Sequence, residues 1–294
     1  MDLAVYSSRR EEVLKLFGKN QDDVDSDLMI LKEWSKKHPY LPLEILTDDY
    51  LERVLVKNKF SIEKAKKKIE NYFILKKQFR YMFNEDNFQA VIPSKEAQFY
   101  IPILELTDNL NRVVISKVFD EENYDMKRDF TVGLVMRELM GRYDYSYGEV
   151  FIYDFSDCSS TFLTKFRPNI IIDGTTLFLE AYSARVREVH IVSKLAKSIL
   201  SLLKPLMPTK IFDRIHAHDK AEDVSKYIPA KCLPKEFGGE LKSLVEILHD
   251  FDETYMKIEN ELHTIMRTMP RGEMWMENKN YESVSGTFKQ LVID

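Results

Sequence analysis

Apolar side chains recur at helical spacing through the first 90 residues of the chain. In the segment DSDLMILKEWSKKH they return every three or four positions, and Asp25 or Ser26 is placed to cap the start of a helix. The segments LTDDYLERVLVKNKF and SIEKAKKKIENYFILKKQFR repeat the pattern, with Thr47 or Asp48 capping the first and Ser61 the second. This part of the sequence therefore predicts a small domain made of helices.

From about residue 95 the pattern changes to short, nearly continuous apolar runs. The runs RVVISKVF, EVFIYDF, EVHIVSK and KIFDRIHAH are typical of buried strands. The stretches between them, DFTVGLVMRELMGRY, STFLTKFRPNIIIDGTTLFLEAYSARV and LAKSILSLLKPLMPTKIF, are long enough to be helical. Because strands that alternate with helices are joined by crossover connections, the pattern predicts an α/β fold with a mostly parallel sheet.

These changes divide the chain into three parts. We expect a helical N-terminal domain over residues 1–92, an α/β domain over residues 93–240, and a C-terminal helix with a polar tail over residues 241–294. The pair Gly238-Gly239 lies at the second boundary and could in principle cradle a phosphate. It follows a Leu-Pro and a Glu-Phe pair rather than a strand, so we interpret it as a backbone turn that ends the α/β domain.

The search for catalytic motifs gives few candidates. The sequence contains no GxxxxGK[ST], GxGxxG, GxSxG or HExxH motif. His216 and His218 could begin a metal site, although no third ligand is evident and a hydrogen-bonded pair is the alternative. Cys158 lacks a nucleophile motif, and Asp154 and Asp157 fit a turn and a helix cap as well as they fit acid/base chemistry. The sequence therefore predicts no catalytic residue, no metal and no cofactor.

Charge and cysteine content narrow the classes of partner. Lysine and arginine total 43 against 48 acidic residues, a net charge of −5, which gives no overall basic field for nucleic acid. The two cysteines are too few for a disulfide framework, and no apolar stretch has the length of a signal peptide or a membrane span. We expect a cytoplasmic protein that meets membranes only peripherally and transiently.

Four segments together resemble the CRAL-TRIO family of lipid-binding proteins: RVLVKNKFSIEKAKKKIENYF, EVFIYDF, AYSARVREVHIVS and KPLMPTKIFDRIHAHDKAEDVSKYIPAKCLPKEFGGE. The resemblance covers about residues 40–240, and its most specific part is K-P-x4-K, then R-I-H, then L-P-x-E-[YF]-G-G. The ending SGTFKQLVID is similar to that of the alpha-tocopherol-transfer-like branch. The resemblance implies a helical N-terminal domain, then an α/β domain whose lipid cavity lies between the sheet and a mobile amphipathic lid helix.

The segment AKSILSLLKPLM has the pattern that such a lid requires. Its apolar stripe consists of Ile199, Leu202, Leu203 and Leu206, and lysines and serines occupy the opposite face. An ordinary amphipathic helix over a filled core would show the same pattern. By resemblance the cavity is lined by Val132, Met136, Ile152, Leu177, Phe178, Val189 and Ile191, although each could equally be plain core.

A set of basic residues completes the resemblance. Arg185 and Arg187 lie two positions apart in an extended approach to a strand, so they project the same way, and Lys210 and Arg214 lie one helical turn apart. The resemblance implies that these residues bind a phosphoinositide headgroup at the edge of the lid, together with Arg53 and Lys57 from a degraded N-terminal motif. Surface ion pairs are the alternative for each.

Two departures from the family pattern leave the choice of ligand open. Tyr182-Ser183 stands where the family usually has Tyr-Pro, and Ser193-Lys194-Leu195 stands where it has Asn-x-Pro. We expect a protein that binds a hydrophobic ligand and transfers it between membranes; tocopherol, retinoid, carotenoid, sterol and phosphatidylinositol all remain compatible. The alternatives are a scaffold or regulatory module with a filled cavity, and a metal-dependent enzyme built on the two histidines.

Overall fold

The N-terminal part is helical, as the pattern predicts. The computed structural model of the 294-residue chain describes residues 6–83, 88 and 91–272. Within them, the first helices are α1 (Arg10–Leu16), α2 (Gln21–Lys36), α3 (Asp48–Lys57) and α4 (Ile62–Gln78). Buried apolar residues on each helix join one core that continues into the second half of the chain.

The helix caps were predicted with mixed success. Helix α2 begins at Gln21, so the predicted cap at Asp25 or Ser26 is wrong. The real cap is Asn20, whose side-chain oxygen accepts from the backbone N–H of Asp23 at 2.9 Å, while the Asp23 carboxylate accepts from the Asn20 N–H at 3.0 Å. Thr47 caps α3 as predicted. Ser61 occupies the cap position of α4, but its side chain makes no capping hydrogen bond.

The second half forms the predicted α/β unit. Its elements are β1 (Gln98–Leu106), β2 (Asn111–Val118), α5 (Met126–Tyr143), β3 (Gly148–Asp154), α6 (Pro168–Thr176), β4 (Val186–Val192), α7 (Ala196–Leu203), α8 (Thr209–Phe212), β5 (Ile215–His218) and α9 (Leu244–Arg267). The strands form one sheet in the order β1-β2-β3-β4-β5; β1 is antiparallel to β2, and the other pairs are parallel. The mostly parallel sheet is confirmed, but the sequence pattern had not identified β1.

Strand register decides which residues share a face of the sheet. Phe151 is paired with Val189 and Tyr153 with Ile191, so these four side chains lie on one face. Ile152 is paired with His190 and lies on the other face. The first face, together with the helices that cover it, provides the space for a site.

Ionic and polar contacts attach the helical N-terminal part to the sheet. The Arg185 guanidinium donates to the carbonyls of Val56 and Lys57 at the end of α3, at 3.2 and 2.7 Å. The Lys57 ammonium in turn donates to the Glu149 carboxylate at 3.0 Å. Burial alone would raise the pKa of Glu149, but Arg137 and Lys57 hold it at about 2. This junction therefore keeps a buried carboxylate ionised, and it fixes α3 against β3.

The glycine pair is a turn, as interpreted from its neighbours. Gly238 has a φ of +74°, a backbone conformation that favours glycine. At Gly239 a Cβ would lie 1.8 Å from the Leu233 carbonyl oxygen, so no other residue fits there. After the turn, Ser243 caps α9 through a capping box. The polar tail and the segment SGTFKQLVID lie outside the described residues. Among the helices of the described residues, none has the length and apolar character needed to cross a bilayer.

Candidate ligand-binding cavity

A largely apolar cavity of about 140 Å³ lies between one face of the sheet and helices α5, α6 and α7. Aromatic rings make up much of its wall: Tyr100, Tyr124, Phe130, Phe151, Tyr153, Phe155, Phe166 and Phe178. Several of these rings contact one another; Phe151 and Tyr153, for example, are stacked with ring centres 6.2 Å apart. The wall therefore suits an apolar occupant.

The strand residues predicted to line the cavity are partly corrected. Val189 and Ile191 line it, as expected, whereas Ile152 does not. Because side chains alternate along a strand, Ile152 points to the opposite face, and its neighbours Phe151 and Tyr153 form the wall instead. The prediction had placed β3 one residue out of phase with β4.

Of the helical residues predicted to line the cavity, some do so and others do not. Phe178 lines it, but Val132, Met136 and Leu177 are buried outside its lining. On α5 the last lining residue is Phe130, and the rings of Tyr100 and Phe178 close over Gly133, 3.1 and 3.6 Å from the place where a Cβ would be. Met136 lies one turn beyond that closure.

The turn after α6 explains the misplaced Leu177. Residues Leu177–Ala181 form a π-helical turn, which changes the angular position of each side chain relative to a continuous α-helix. Phe178 and Leu179 consequently face the cavity, and Leu177 faces the core. Earlier in α6, Gly174 allows the Phe130 ring to approach so closely that a Cβ would lie 1.9 Å from its Cε1.

Helix α7 covers the cavity in the place predicted for a lid. Ile199 and Leu203 line the cavity from this helix, whereas Leu202 is 41% exposed. Leu206 is half-buried and outside the lining, because α7 ends at Leu203 and the chain turns before it. Beyond the turn, Met207 and Ile211 continue the apolar wall. The predicted polar face is confirmed: Lys197, Ser198, Ser201 and Lys204 are exposed.

The sequence analysis missed a polar group in the cavity wall. Asp129 on α5 is 5% exposed, and its Oδ2 accepts a hydrogen bond from the Tyr100 hydroxyl at 3.1 Å. Burial raises the pKa of Asp129 to about 8, so the carboxyl is largely neutral at pH 7. Gln98, also in the wall, donates to the Ser116 hydroxyl at 2.5 Å. An aspartate one turn after the cap Asp125, followed by an apolar run, is the signal that the sequence offered.

Three of the six predicted headgroup ligands are used inside the protein. Arg53 donates to the Asp49 carbonyl at 2.8 Å and lies over the Tyr145 ring at 4.3 Å. Lys57 and Arg185 belong to the junction described above, and Arg185 also donates to the Tyr147 carbonyl at 2.8 Å. These contacts give the three cations structural partners.

The other three lie near the start of β4 and β5. Arg187 is exposed, its stem lies against Gly148, and its guanidinium is 5.1 Å from the centre of the Tyr147 ring. Arg214 is half-buried and donates to the Val186 carbonyl. Lys210 is exposed. Arg187 also lines a surface groove of about 820 Å³ that contains Arg9, Lys15, Lys59, Glu12 and Asp108.

The histidines form a cluster on the sheet face opposite the cavity. His190 Nδ1 lies 2.9 Å from His218 Nε2, and the rings of His190 and His216 stack with centres 5.2 Å apart. Burial lowers the pKa of His190 to about 3. Over the described residues, no group of three or more histidine, cysteine or acidic side chains is arranged to hold a metal ion. Burial also raises the pKa of Cys158 to about 12, so its thiol stays protonated.

Family models match two parts of the chain. Residues 100–239 match the family model described as the CRAL/TRIO domain, and residues 20–91 match the model described as the Pinta-like UBA domain. Among solved structures, the chain is similar to a crystal structure of Sfh5, with 11% sequence identity and a TM-score of 0.45. That match covers 84% of this chain and 98% of the other.

Proposed function

We propose that this protein binds a hydrophobic small molecule in its cavity and transfers it between membranes, because residues 100–239 match the model of the CRAL/TRIO domain, a fold that supports lipid binding and transfer in general. The observation that carries the proposal is the aromatic cavity between the sheet and α7. CRAL/TRIO proteins are generally ligand-binding proteins rather than enzymes, and the histidine cluster lies on the other face of the sheet from this cavity.

Burial of apolar surface is sufficient to hold such a ligand. A molecule that buries roughly 400 Å² of apolar surface gains on the order of 10 kcal/mol at ~25 cal/mol per Å², before the cost of immobilisation. The aromatic wall offers this burial without any charged partner. Tocopherols, retinoids, carotenoids and similar lipids fit the requirement, and the alpha-tocopherol-transfer-like branch is the one we favour from the sequence resemblance.

Entry of a ligand requires the wall to move. The cavity volume of about 140 Å³ is below the roughly 300–1,000 Å³ typical of small-molecule pockets. Helix α7 is the element suited to move, since it spans only Ala196–Leu203 and has a polar outer face. Its exposed Leu202, flanked by Lys197 and Lys204, provides an apolar and basic surface for contact with a bilayer.

An anionic headgroup assists release in this proposal. Arg187 and Lys210 are the predicted cations that are exposed, and Arg214 follows Lys210 by four residues, directly before β5. A phosphoinositide that binds these residues more tightly when α7 is open would shift the population towards the open form. Arg185 supports this region through its bonds to backbone carbonyls and is not itself the headgroup ligand.

The proposal is tested by identifying lipid in the protein and by measuring transfer. Native mass spectrometry and solvent extraction of the purified chain should show a bound apolar compound. If no lipid co-purifies and a pyrene-labelled alkyl chain does not bind, the protein is a scaffold or regulatory module instead.

Transfer of the pyrene-labelled chain between vesicles tests the release step. The double variant Arg187→Ala, Lys210→Ala should slow transfer to acceptor vesicles that contain phosphoinositide and leave transfer to pure phosphatidylcholine vesicles unchanged. Lys64→Ala, Lys67→Ala is the matched control, because it removes two exposed lysines from α4. Equal rates for both double variants on phosphoinositide vesicles would refute headgroup-assisted release.

A further inference from the structure

Two polar atoms in the cavity wall have no hydrogen-bond partner within the described part of the chain. They are Oδ1 of Asp129 and Oε1 of Gln98. Both residues are buried, at 5% and 3% exposure, and both line the same cavity. Gln98 and Tyr100 lie two positions apart on one face of β1, and the Tyr100 hydroxyl contacts Asp129. The rest of the wall is largely apolar.

Such atoms point to a polar group of the ligand. A buried polar atom without a partner costs about 1–3 kcal/mol, and native proteins pair the great majority of them. The other polar atoms of these two side chains are used: Asp129 Oδ2 accepts from Tyr100, and Gln98 Nε2 donates to Ser116. The two free atoms are therefore available to an occupant of the cavity.

The hydrogen-bonding capacity of the two atoms indicates which polar group the ligand carries. Burial and the like charges of Asp125 and Glu96 outweigh the lowering effect of the Tyr100 hydrogen bond and raise the pKa of Asp129 to about 8. At pH 7 its carboxyl therefore retains a proton to donate. The free oxygen of Gln98 accepts. A hydroxyl both donates and accepts, so it satisfies either atom, whereas a carbonyl or ether oxygen only accepts.

We propose that Asp129 and Gln98 bind the polar end of the cavity's ligand, and that this end is a hydroxyl group on an otherwise apolar molecule. The inference rests on the proposed lipid binding and names the class of lipid, a neutral lipid alcohol. Gly133 contributes by leaving room for the Tyr100 ring, which lies 3.1 Å from the position of a Cβ and so reaches Asp129 one helical turn earlier.

Three ligands that share one dodecyl group and differ in its polar end test the hydroxyl assignment. The full chain is equilibrated with phosphatidylcholine vesicles that carry radiolabelled 1-dodecanol, dodecane or 1-methoxydodecane, and the affinity for each is measured. The ratio of dodecanol to dodecane affinity should be about tenfold higher in the wild type than in Asp129→Leu, the equivalent of one buried hydrogen bond. Gln98→Met should lower the ratio as well, and Asp129→Asn should keep most of it, since an amide also donates and accepts.

Met136→Leu is the matched control on the same helix, because Met136 is buried outside the lining. It should leave the ratio at its wild-type value. Equal ratios in the wild type and in Asp129→Leu would overturn the anchor, and if 1-methoxydodecane binds as tightly as 1-dodecanol the hydroxyl assignment is wrong. If Asp129→Leu fails to fold, the Gln98→Met variant and the comparison of 1-methoxydodecane with 1-dodecanol still test whether the site binds a hydroxyl. If none of the three compounds binds the wild type, the proposed function itself fails.

Discussion

Raising the pH should remove the stabilising contribution of the buried Asp129 carboxyl, by an amount that one substitution isolates. The ordinary pKa of this carboxyl is 3.8 and burial raises it to about 8 in the folded chain. Between these values the folded state holds a proton that the unfolded state has lost. The contribution of Asp129 to stability therefore falls as pH rises from about 4 to about 8, and it is constant above and below that window.

The slope follows from the linkage relation. One proton of difference corresponds to about 1.4 kcal/mol per pH unit, so Asp129 should contribute about 3 kcal/mol less to the free energy of unfolding at pH 7 than at pH 5. The charged groups that act on Asp129 are Asp125 of its own helix and Glu96 before β1, and the hydroxyl of Tyr100 faces it from β1. These groups are present in both the wild type and Asp129→Asn, and the substitution removes only the titration of the Asp129 carboxyl.

Urea unfolding of both proteins at pH 5, 6 and 7 measures the effect. The free energy of unfolding of the wild type, minus that of Asp129→Asn, should decrease by about 1.4 kcal/mol with each pH unit. Titration of the histidines cancels in this difference. A difference that stays constant from pH 5 to pH 7 would show that Asp129 is ionised in the folded protein, and it would refute the reasoning from burial.

Two further predictions concern stability and are measured by the same unfolding assay. Arg185→Ala should cost about 2–3 kcal/mol, because it leaves backbone carbonyls at the end of α3 and before β3 without their donor, whereas Lys210→Ala should change stability by less than about 0.5 kcal/mol; similar costs for the two would contradict the assignment of Arg185 as structural. Gly174→Ala should destabilise by more than about 2 kcal/mol, since its Cβ would lie 1.9 Å from an aromatic carbon of α5, whereas Gly141→Ala, with nothing within 4 Å, should stabilise α5 by about 0.5–1 kcal/mol; stabilisation by both would mean that the close helix approach is wrong.

The sequence predicted the elements better than their faces. The helical N-terminal part and the parallel strands β2 to β5 follow from local periodicity, which the chain shows clearly. The apolar runs did not identify β1, and the start of α2 is set by the reciprocal cap of Asn20 and Asp23, which lies ahead of the apolar stripe. Both depend on short-range details that hydrophobic spacing does not record.

The predictions of cavity residues are wrong where a shift of one residue changes which side chain faces the cavity. Ile152 and Leu177 are apolar and buried, as predicted, but register on β3 and the π-helical turn after α6 send them away from the cavity. The basic residues Lys57 and Arg185 were assigned to a headgroup by family resemblance, but their partners are a carboxylate and backbone carbonyls that lie far away in sequence. The sequence shows which residue types occur and approximately where they lie in the fold. It does not show which distant residue each side chain contacts.

By itself, the sequence determined the order of helices and strands, the resemblance to a lipid-binding family, and the amphipathic character of α7. All three depend on residue patterns within short segments of the chain. Only the tertiary structure decided which ring systems face the cavity and which arginines remain exposed. It alone brought Asp129 and Gln98 to the wall of one cavity with an oxygen each unpaired. The reason is physical: burial and hydrogen bonding between distant segments set the charge and the availability of each group, and neither can be read from one segment alone.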